Sequence, residues 1–140
     1  MRNTLYIICA CVSLLLFAAC ENKRDDNGDL GGMWQMTEWR DAQDSLLHSN
    51  PGIYYCIHMN LLQFRPIDTS FVPTAHIRHT PDSLILLDVY DTARKDSVAV
   101  TFAQLSHFAI PLSGGFRISH LDADHLTLRS ESATLHFRKY

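Results

Sequence analysis

Eight histidines and several carboxylates are the residues of this chain whose types suit metal binding or acid–base chemistry. His76 and His79 are three positions apart, which on a strand places them on opposite faces, so they do not share an ion. A second group surrounds one predicted turn and consists of His120, Asp122, Asp124 and His125. Its spacing matches no known ligand pattern, so a polar hairpin is favoured over a weak surface metal site.

No motif of a hydrolase, a metalloprotease, a phosphate-binding loop or a dithiol oxidoreductase follows the first 20 residues. We therefore expect a protein that is not an enzyme and that has no metal or cofactor. The formal net charge of -3 also gives no electrostatic reason to expect nucleic acid as a partner.

The four cysteines do not form an obvious pair of disulfides. Cys9 and Cys11 lie in an apolar leader, and Cys20 directly follows two alanines at the end of that leader. Only Cys56 then remains for the folded part, and it has no intramolecular partner. Because Cys56 lies in an apolar run, we expect a buried, unreactive thiol.

The residues before Cys20 have the pattern of a secretion signal. Arg2 supplies a positive charge, and residues 5–19 form an uncharged apolar segment of 15 residues, shorter than the roughly 20 that span a bilayer. Small residues followed by cysteine resemble a bacterial lipoprotein signal, although Phe17 stands where leucine is commoner. The resemblance implies that residues 1–19 are removed as a signal peptide and that Cys20 carries lipid. An ordinary secretory signal or an uncleaved anchor is the alternative.

Residues 20–29 contain almost no apolar side chains after the cysteine, which is typical of a flexible tether. An acidic tether at this place also resembles the surface-export signal of some Gram-negative lipoproteins, and a plain solvated linker explains it equally well. The expected location is therefore the cell envelope, with the lipid on Cys20 in the periplasmic or the surface-exposed leaflet of the outer membrane.

The rest of the chain consists of short runs rich in β-branched and aromatic residues, separated by turn signals. Such spacing predicts an all-β protein, either an antiparallel barrel or a sandwich. Residues 41–52 are expected to form a long polar loop, and residues 104–113 either a short strand or a helical turn. The predicted strands are 32–39, 53–64, 71–79, 83–90, 97–102, 116–121, 126–130 and 133–140.

Gly32 and Trp34 at the start of the first strand, a long first loop, successive hairpins and a basic residue in the last strand resemble the lipocalin pattern. Residues 30–140 are similar to the small lipocalin-like lipoproteins of Gram-negative envelopes. The resemblance implies a small antiparallel up-and-down β-barrel of about eight strands. It also implies that a basic side chain of the last strand lies over the Trp34 ring, as a cation–π contact. Strand alternation favours Lys139 and the stacking chemistry of guanidinium favours Arg138, so both are candidates for closing one end.

Two functions are compatible with such a barrel. In the first, it binds a small hydrophobic ligand near its mouth, with Tyr55, His58 and Met59 as lining and residues 41–52 as a partial cover. In the second, side chains fill the barrel, and a structural or interaction lipoprotein contacts another envelope protein. Filling is expected from six large residues predicted to point inwards: Trp34, Met36, Tyr55, Met59, Phe116 and Phe137.

Overall fold

The computed structural model describes residues 27–66, 71–92, 98–111 and 113–140. The predicted signal peptide, Cys20 and most of the predicted tether lie outside these residues. No helix in the described ranges is long and apolar enough to cross a membrane. The described residues contain ten strands: β1 (Gly32–Asp41), β2 (Leu46–Ser49), β3 (Tyr54–His58), β4 (Leu61–Arg65), β5 (Pro73–Thr80), β6 (Ser83–Asp91), β7 (Val98–Ala99), β8 (Gly115–Leu121), β9 (His125–Arg129) and β10 (Ala133–Lys139).

Eight of these strands close into a ring. The strands β1, β3, β4, β5, β6, β8, β9 and β10 each pair antiparallel with the next, and β10 pairs back with β1. The closing pair runs from Trp34 opposite Lys139 to Asp41 opposite Ala133. The strands β2 and β7 lie outside the ring, paired with β1 and β6. The predicted up-and-down barrel of about eight strands is therefore confirmed.

The prediction of one polar loop over residues 41–52 is wrong in part, because this segment contains β2. The strand β3 pairs with β1 only from Gly32 to Gln35, which leaves the later part of that edge of β1 without a ring partner. The strand β2 pairs there, with Glu38 opposite Ser49 and Trp39 opposite His48. The first hairpin therefore extends the sheet beyond the ring.

The prediction of a single strand over residues 53–64 is wrong. The chain turns after His58, and Met59 has a left-handed backbone conformation with a φ of 52°. Strands in globular proteins are commonly five to six residues long, so a strand of about twelve residues would be longer than the wall of a small barrel is high. The turn places Met59 at the surface with 51% of its side chain exposed. Met59 consequently does not point inwards.

Within the described part of the predicted strand at residues 97–102, the two residues of β7 form a strand. Residues 104–113 were expected to form either a short strand or a helical turn, and the structure has a 3-10 helix there, Phe102–Phe108. We call this element the mouth helix. A capping box starts it, because the Gln104 side chain accepts a hydrogen bond from the Thr101 backbone N–H at 2.8 Å. A second, shorter 3-10 helix, Gly28–Leu30, precedes β1.

The barrel interior is filled by aromatic and aliphatic side chains. The Tyr55 ring lies at its centre, with centroids 4.8 Å from both Phe64 and Phe137. Such edge-to-face and tilted pairs add to the free energy gained by burial. Of the six side chains predicted to point inwards, five are buried, namely Trp34, Met36, Tyr55, Phe116 and Phe137.

The mouth helix packs onto this core from the end of the barrel opposite Trp34. Leu105 is fully buried, and the Phe108 ring lies 5.9 Å from Phe64 and 6.2 Å from Phe71. The Tyr55 hydroxyl donates a hydrogen bond to the Phe108 carbonyl. Residues 42–50, by contrast, are all exposed. The mouth is therefore covered by the mouth helix and not by the first hairpin.

Replacing Tyr55 by Phe should lower the free energy of unfolding by about 1–3 kcal/mol, because the buried Phe108 carbonyl then lacks its donor. The matched control is Tyr54→Phe, since the Tyr54 hydroxyl is a partly exposed acceptor for Gln35. It should change stability by less than about 0.5 kcal/mol. Urea denaturation followed by tryptophan fluorescence measures both variants. Equal stability of the two would show that the Tyr55 bond does not hold the mouth helix.

Candidate functional site

The start of β1 and the end of β10 meet at what we call the closed end, formed by Leu30, Gly32, Trp34 and Lys139. The Trp34 side chain is fully buried, and its indole N–H donates to the Leu30 carbonyl at 2.8 Å. Gly32 has a φ of 118°, which side-chain-bearing residues rarely adopt. A Cβ at Gly32 would also lie 3.1 Å from Cε of Lys139. A glycine is therefore required two residues before the buried tryptophan.

Lys139 occupies the position over the tryptophan. Its Nζ lies 4.0 Å from the Trp34 ring centroid and donates to the carbonyls of Asp29, at 2.7 Å, and Gly31. Partial burial lowers the pKa of Lys139, while the charges of Asp29 and Asp124 oppose that shift. The cation thus joins the last strand to the short helix before β1.

Arg138 lies on the opposite, outer face. It is in register with Gln35, and its Nε donates to Oε1 of that residue at 2.7 Å. The sequence left open whether Lys139 or Arg138 lies over the tryptophan. The structure places Lys139 there, as strand alternation predicts. Of the four residues predicted to close the barrel, three lie at the closed end, namely Gly32, Trp34 and Lys139. The fourth, Arg138, lies on the outer face.

The three residues predicted to line a ligand site do not come together. Tyr55 is buried in the core, where desolvation raises the pKa of its phenol, and its hydroxyl is bound to the Phe108 carbonyl. His58 is the last residue of β3 and Met59 begins the turn to β4, and both are exposed. The prediction treated residues 53–64 as one strand, and Asn60 was the only local turn signal within it.

The remaining chemically capable residues make local contacts. Asp122 accepts hydrogen bonds from the backbone N–H groups of Asp124 and His125 and pairs with the His120 ring. These hydrogen bonds, that of Asp124 foremost, lower the pKa of Asp122. No group of three or more potential metal ligands occurs in the described ranges. The side chains around this turn form a hydrogen-bonded polar hairpin between β8 and β9.

Cys56 is a free thiol on β3 and is half-buried, less than the sequence predicted. Burial raises the pKa of Cys56, although the charge of Arg65 opposes the shift. A raised thiol pKa reduces the thiolate fraction at neutral pH, so the group is a poor nucleophile.

Two concave regions lie away from the aromatic core. A small cavity of about 200 Å³ at the closed end is lined by Asn27, Leu30, His79, Thr80, Pro81, Ile118 and Leu121. A wider groove of about 710 Å³ lies on the outer face of β1, β8, β9 and β10. We call it the polar groove, because every residue that lines it has a polar or charged side chain: Thr37, Glu38, Arg40, Asp44, Ser119, Thr127, Arg129, Thr134 and His136.

An eight-stranded up-and-down barrel with a tryptophan and a basic residue closing one end has the architecture of a lipocalin. This chain belongs to the lipocalin-like domain family, whose sequence profile matches residues 15–140. No curated protein matches the chain.

Two solved structures share the fold. A lipocalin-like protein from Bacteroides uniformis has a TM-score of 0.60 and 20% sequence identity, and the match covers 81% of this chain and all of the other. An uncharacterised protein from Bacteroides eggerthii has a TM-score of 0.58 and 15% identity, covering 79% of this chain and 98% of the other. At these identities the likeness extends to the fold.

Replacing Lys139 by Met should lower the free energy of unfolding by about 2 kcal/mol, because it removes a cation–π contact and two hydrogen bonds to carbonyls. The neighbouring variant Arg138→Met is the control and should change stability by less than about 0.5 kcal/mol. Thermal and urea denaturation test the pair. A larger loss in the Arg138 variant would contradict the role given to Lys139.

Proposed function

We propose that this protein is a lipid-anchored, non-enzymatic envelope protein whose barrel is filled by its own side chains and which binds another envelope protein through its outer surface. One observation carries the proposal, namely the filled interior. Trp34, Tyr55 and Phe64 are fully buried between the strands, and Phe108 packs against Phe64 from the mouth. A barrel filled in this way leaves the outer surface as the place for recognition.

The proposed anchor is supported by the leader and by the place where the chain enters the barrel. Asn27 lies beside the closed end, where its side-chain amide donates to the Met59 carbonyl at 2.7 Å. Asn27 is seven positions after Cys20, and an extended chain of that length reaches at most about 25 Å. A lipid on Cys20 would hold the closed end near the membrane. The polar groove, on the side of the barrel, would stay accessible to a partner in the envelope.

Binding of a small hydrophobic ligand is the second candidate, and the lipocalin-like fold favours it. An eight-stranded barrel is just wide enough either to fill itself or to hold one small molecule. In this chain a ligand entering from the mouth would have to displace Leu105 and Phe108 and break the Tyr55 hydrogen bond. Ligand binding would therefore be coupled to movement of the mouth helix.

Native mass spectrometry of the protein purified from envelopes, together with titration by a hydrophobic fluorescent naphthylamine, separates the two candidates. We expect no retained ligand and no saturable dye binding by the wild-type protein. The comparison variant is Phe108→Ala, which removes a buried ring at the mouth and should create space for the dye. A retained apolar molecule, or saturable dye binding by the wild type, would replace the filled-barrel proposal with the ligand candidate.

Replacing Cys20 by Ser should abolish incorporation of labelled fatty acid and move the protein from the membrane to the soluble fraction, since Cys20 is the proposed attachment point. The variant Cys56→Ser should keep both labelling and membrane association. Metabolic labelling and fractionation of a Gram-negative expression host provide the measurement. If the Cys20 variant stays in the membrane fraction, the leader is an uncleaved anchor.

A further inference from the structure

A row of arginines crosses the outer face of the barrel. Pairing places Arg117 of β8 directly opposite Arg129 of β9, Arg129 opposite Thr134 of β10, and Thr134 opposite Arg40 of β1. Neighbouring strands are about 4.8 Å apart, so the Cα atoms of the three arginines span roughly 14 Å across four strands. These residues alternate with the buried residues of the same strands, for example Phe116. The row therefore lies on the outer face, where Arg117 and Arg129 are exposed and Thr134 between the arginines is 8% exposed, and two of the arginines, Arg40 and Arg129, line the polar groove.

The arginines of this row differ in their partners. Arg40 is neutralised by Glu38 at 2.7 Å and by Asp44 at 3.9 Å. Arg129 donates to the neutral hydroxyl of Thr134 at 3.3 Å. Within the residues that the structure describes, neither Arg129 nor Arg117 forms an ion pair. The row thus has one compensated end and one end with two uncompensated positive charges.

Direct opposition of Arg117 and Arg129 is unfavourable for the sheet. Like charges at directly opposite positions of an antiparallel pair destabilise it. Both side chains are exposed, so neither is required to fill the core. The guanidinium fork binds a carboxylate through two parallel hydrogen bonds, and two forks on adjacent strands can approach one carboxylate from both sides. A bound carboxylate would remove the repulsion between them.

The other end of the polar groove favours a positively charged group. Glu38 and Asp44 place two carboxylates around Arg40, so that end is not positive. A uniformly anionic polymer lying along the groove would meet these carboxylates. A polypeptide segment with an acidic residue at one end and a basic residue at the other would match both ends.

We propose that the polar groove, together with Arg117 beside it, binds a mixed-charge polypeptide segment of a partner protein, with an Asp or Glu of the partner held between Arg117 and Arg129. This inference names the surface and the chemistry by which the partner is recognised, and it rests on the proposed function. Glu38 and Asp44 receive the basic residue of the same segment. Recognition is by charge pairs at a polar surface, so the affinity depends on ionic strength.

The test titrates the isotopically labelled chain of residues 20–140, which keeps the tether, with a synthetic peptide while the backbone and arginine Nε–H resonances are followed by NMR. The probe is a twelve-residue peptide of Gly and Ser with one Glu near one end and one Lys near the other. The comparison probe has Gln in place of Glu. We expect shifts of the Arg117 and Arg129 resonances with the first peptide, and at least about fivefold weaker binding of the second.

Variants of the row provide the second measurement. Arg117→Ser and Arg129→Ser should each weaken peptide binding by about fivefold. Arg117→Ser should also raise the urea midpoint at low salt because the repulsion is relieved, whereas Arg129→Ser in addition loses the hydrogen bond to Thr134. The matched control is Arg65→Ser, because Arg65 is an exposed arginine on β4 that donates to the neutral side chain of Gln63 at 2.7 Å. It should leave peptide binding unchanged.

Three results would overturn the inference. They are the absence of shifts at Arg117 and Arg129, equal binding of the Glu and Gln peptides, and tighter binding of hexaglutamate than of the mixed-charge peptide. The last would assign the groove to a uniformly anionic ligand. None of these results bears on the filled interior, whereas a retained apolar ligand overturns the proposed function without changing the resonances of the arginine row.

Discussion

The pairing of the first strand with the last is the constraint on which the rest of this structure depends. It closes the ring, and it is held at one end by a buried tryptophan between the Leu30 carbonyl and the Lys139 ammonium group. The described residues contain one cysteine, a free thiol, so no disulfide among them supports the closure. A closed ring has no free edge except at strands outside it. In this protein the first hairpin adds such a strand, β2.

Closure by short strands has a consequence for the interior. The wall is low, so a few aromatic rings reach from the closed end to the mouth, and the Tyr55 hydroxyl contacts the Phe108 carbonyl directly. The mouth helix then serves as part of the core, because Leu105 and Phe108 are buried there. In this member of the lipocalin-like family the side chains that pack inside the barrel and beneath the mouth helix contribute to the stability of the fold.

The sequence predicted the barrel but only part of the candidate site. Gly32 and Trp34 identified the closed end through the resemblance to lipocalins, and strand alternation, which depends on local spacing, favoured Lys139. The turn at Met59 was missed, since a left-handed methionine is imposed by the tertiary structure. The opposition of Arg117 and Arg129 depends on the pairing of two strands, and the register of β8 and β9 shifts between Ile118 and His120. A shift of one residue changes every opposite pair, so such a row is not visible in the sequence.

The arrangement that folding does not explain, Arg117 opposite Arg129, lies on the outer surface of the barrel. A chain with a formal net charge of -3 has acidic residues enough to compensate its arginines, as Glu38 and Asp44 compensate Arg40. Folding gives no reason to place Arg117 opposite Arg129, because the two charges repel and neither side chain is buried. Local rules are commonly violated where a molecule binds something, and the energetic cost is compensated elsewhere in the fold. The filled core has no such violation among the described residues: no buried polar side-chain atom there lacks a partner. The pair that opposes folding stability, Arg117 and Arg129, is therefore on the outer face. This contrast favours recognition by the outer surface of the barrel over recognition inside it.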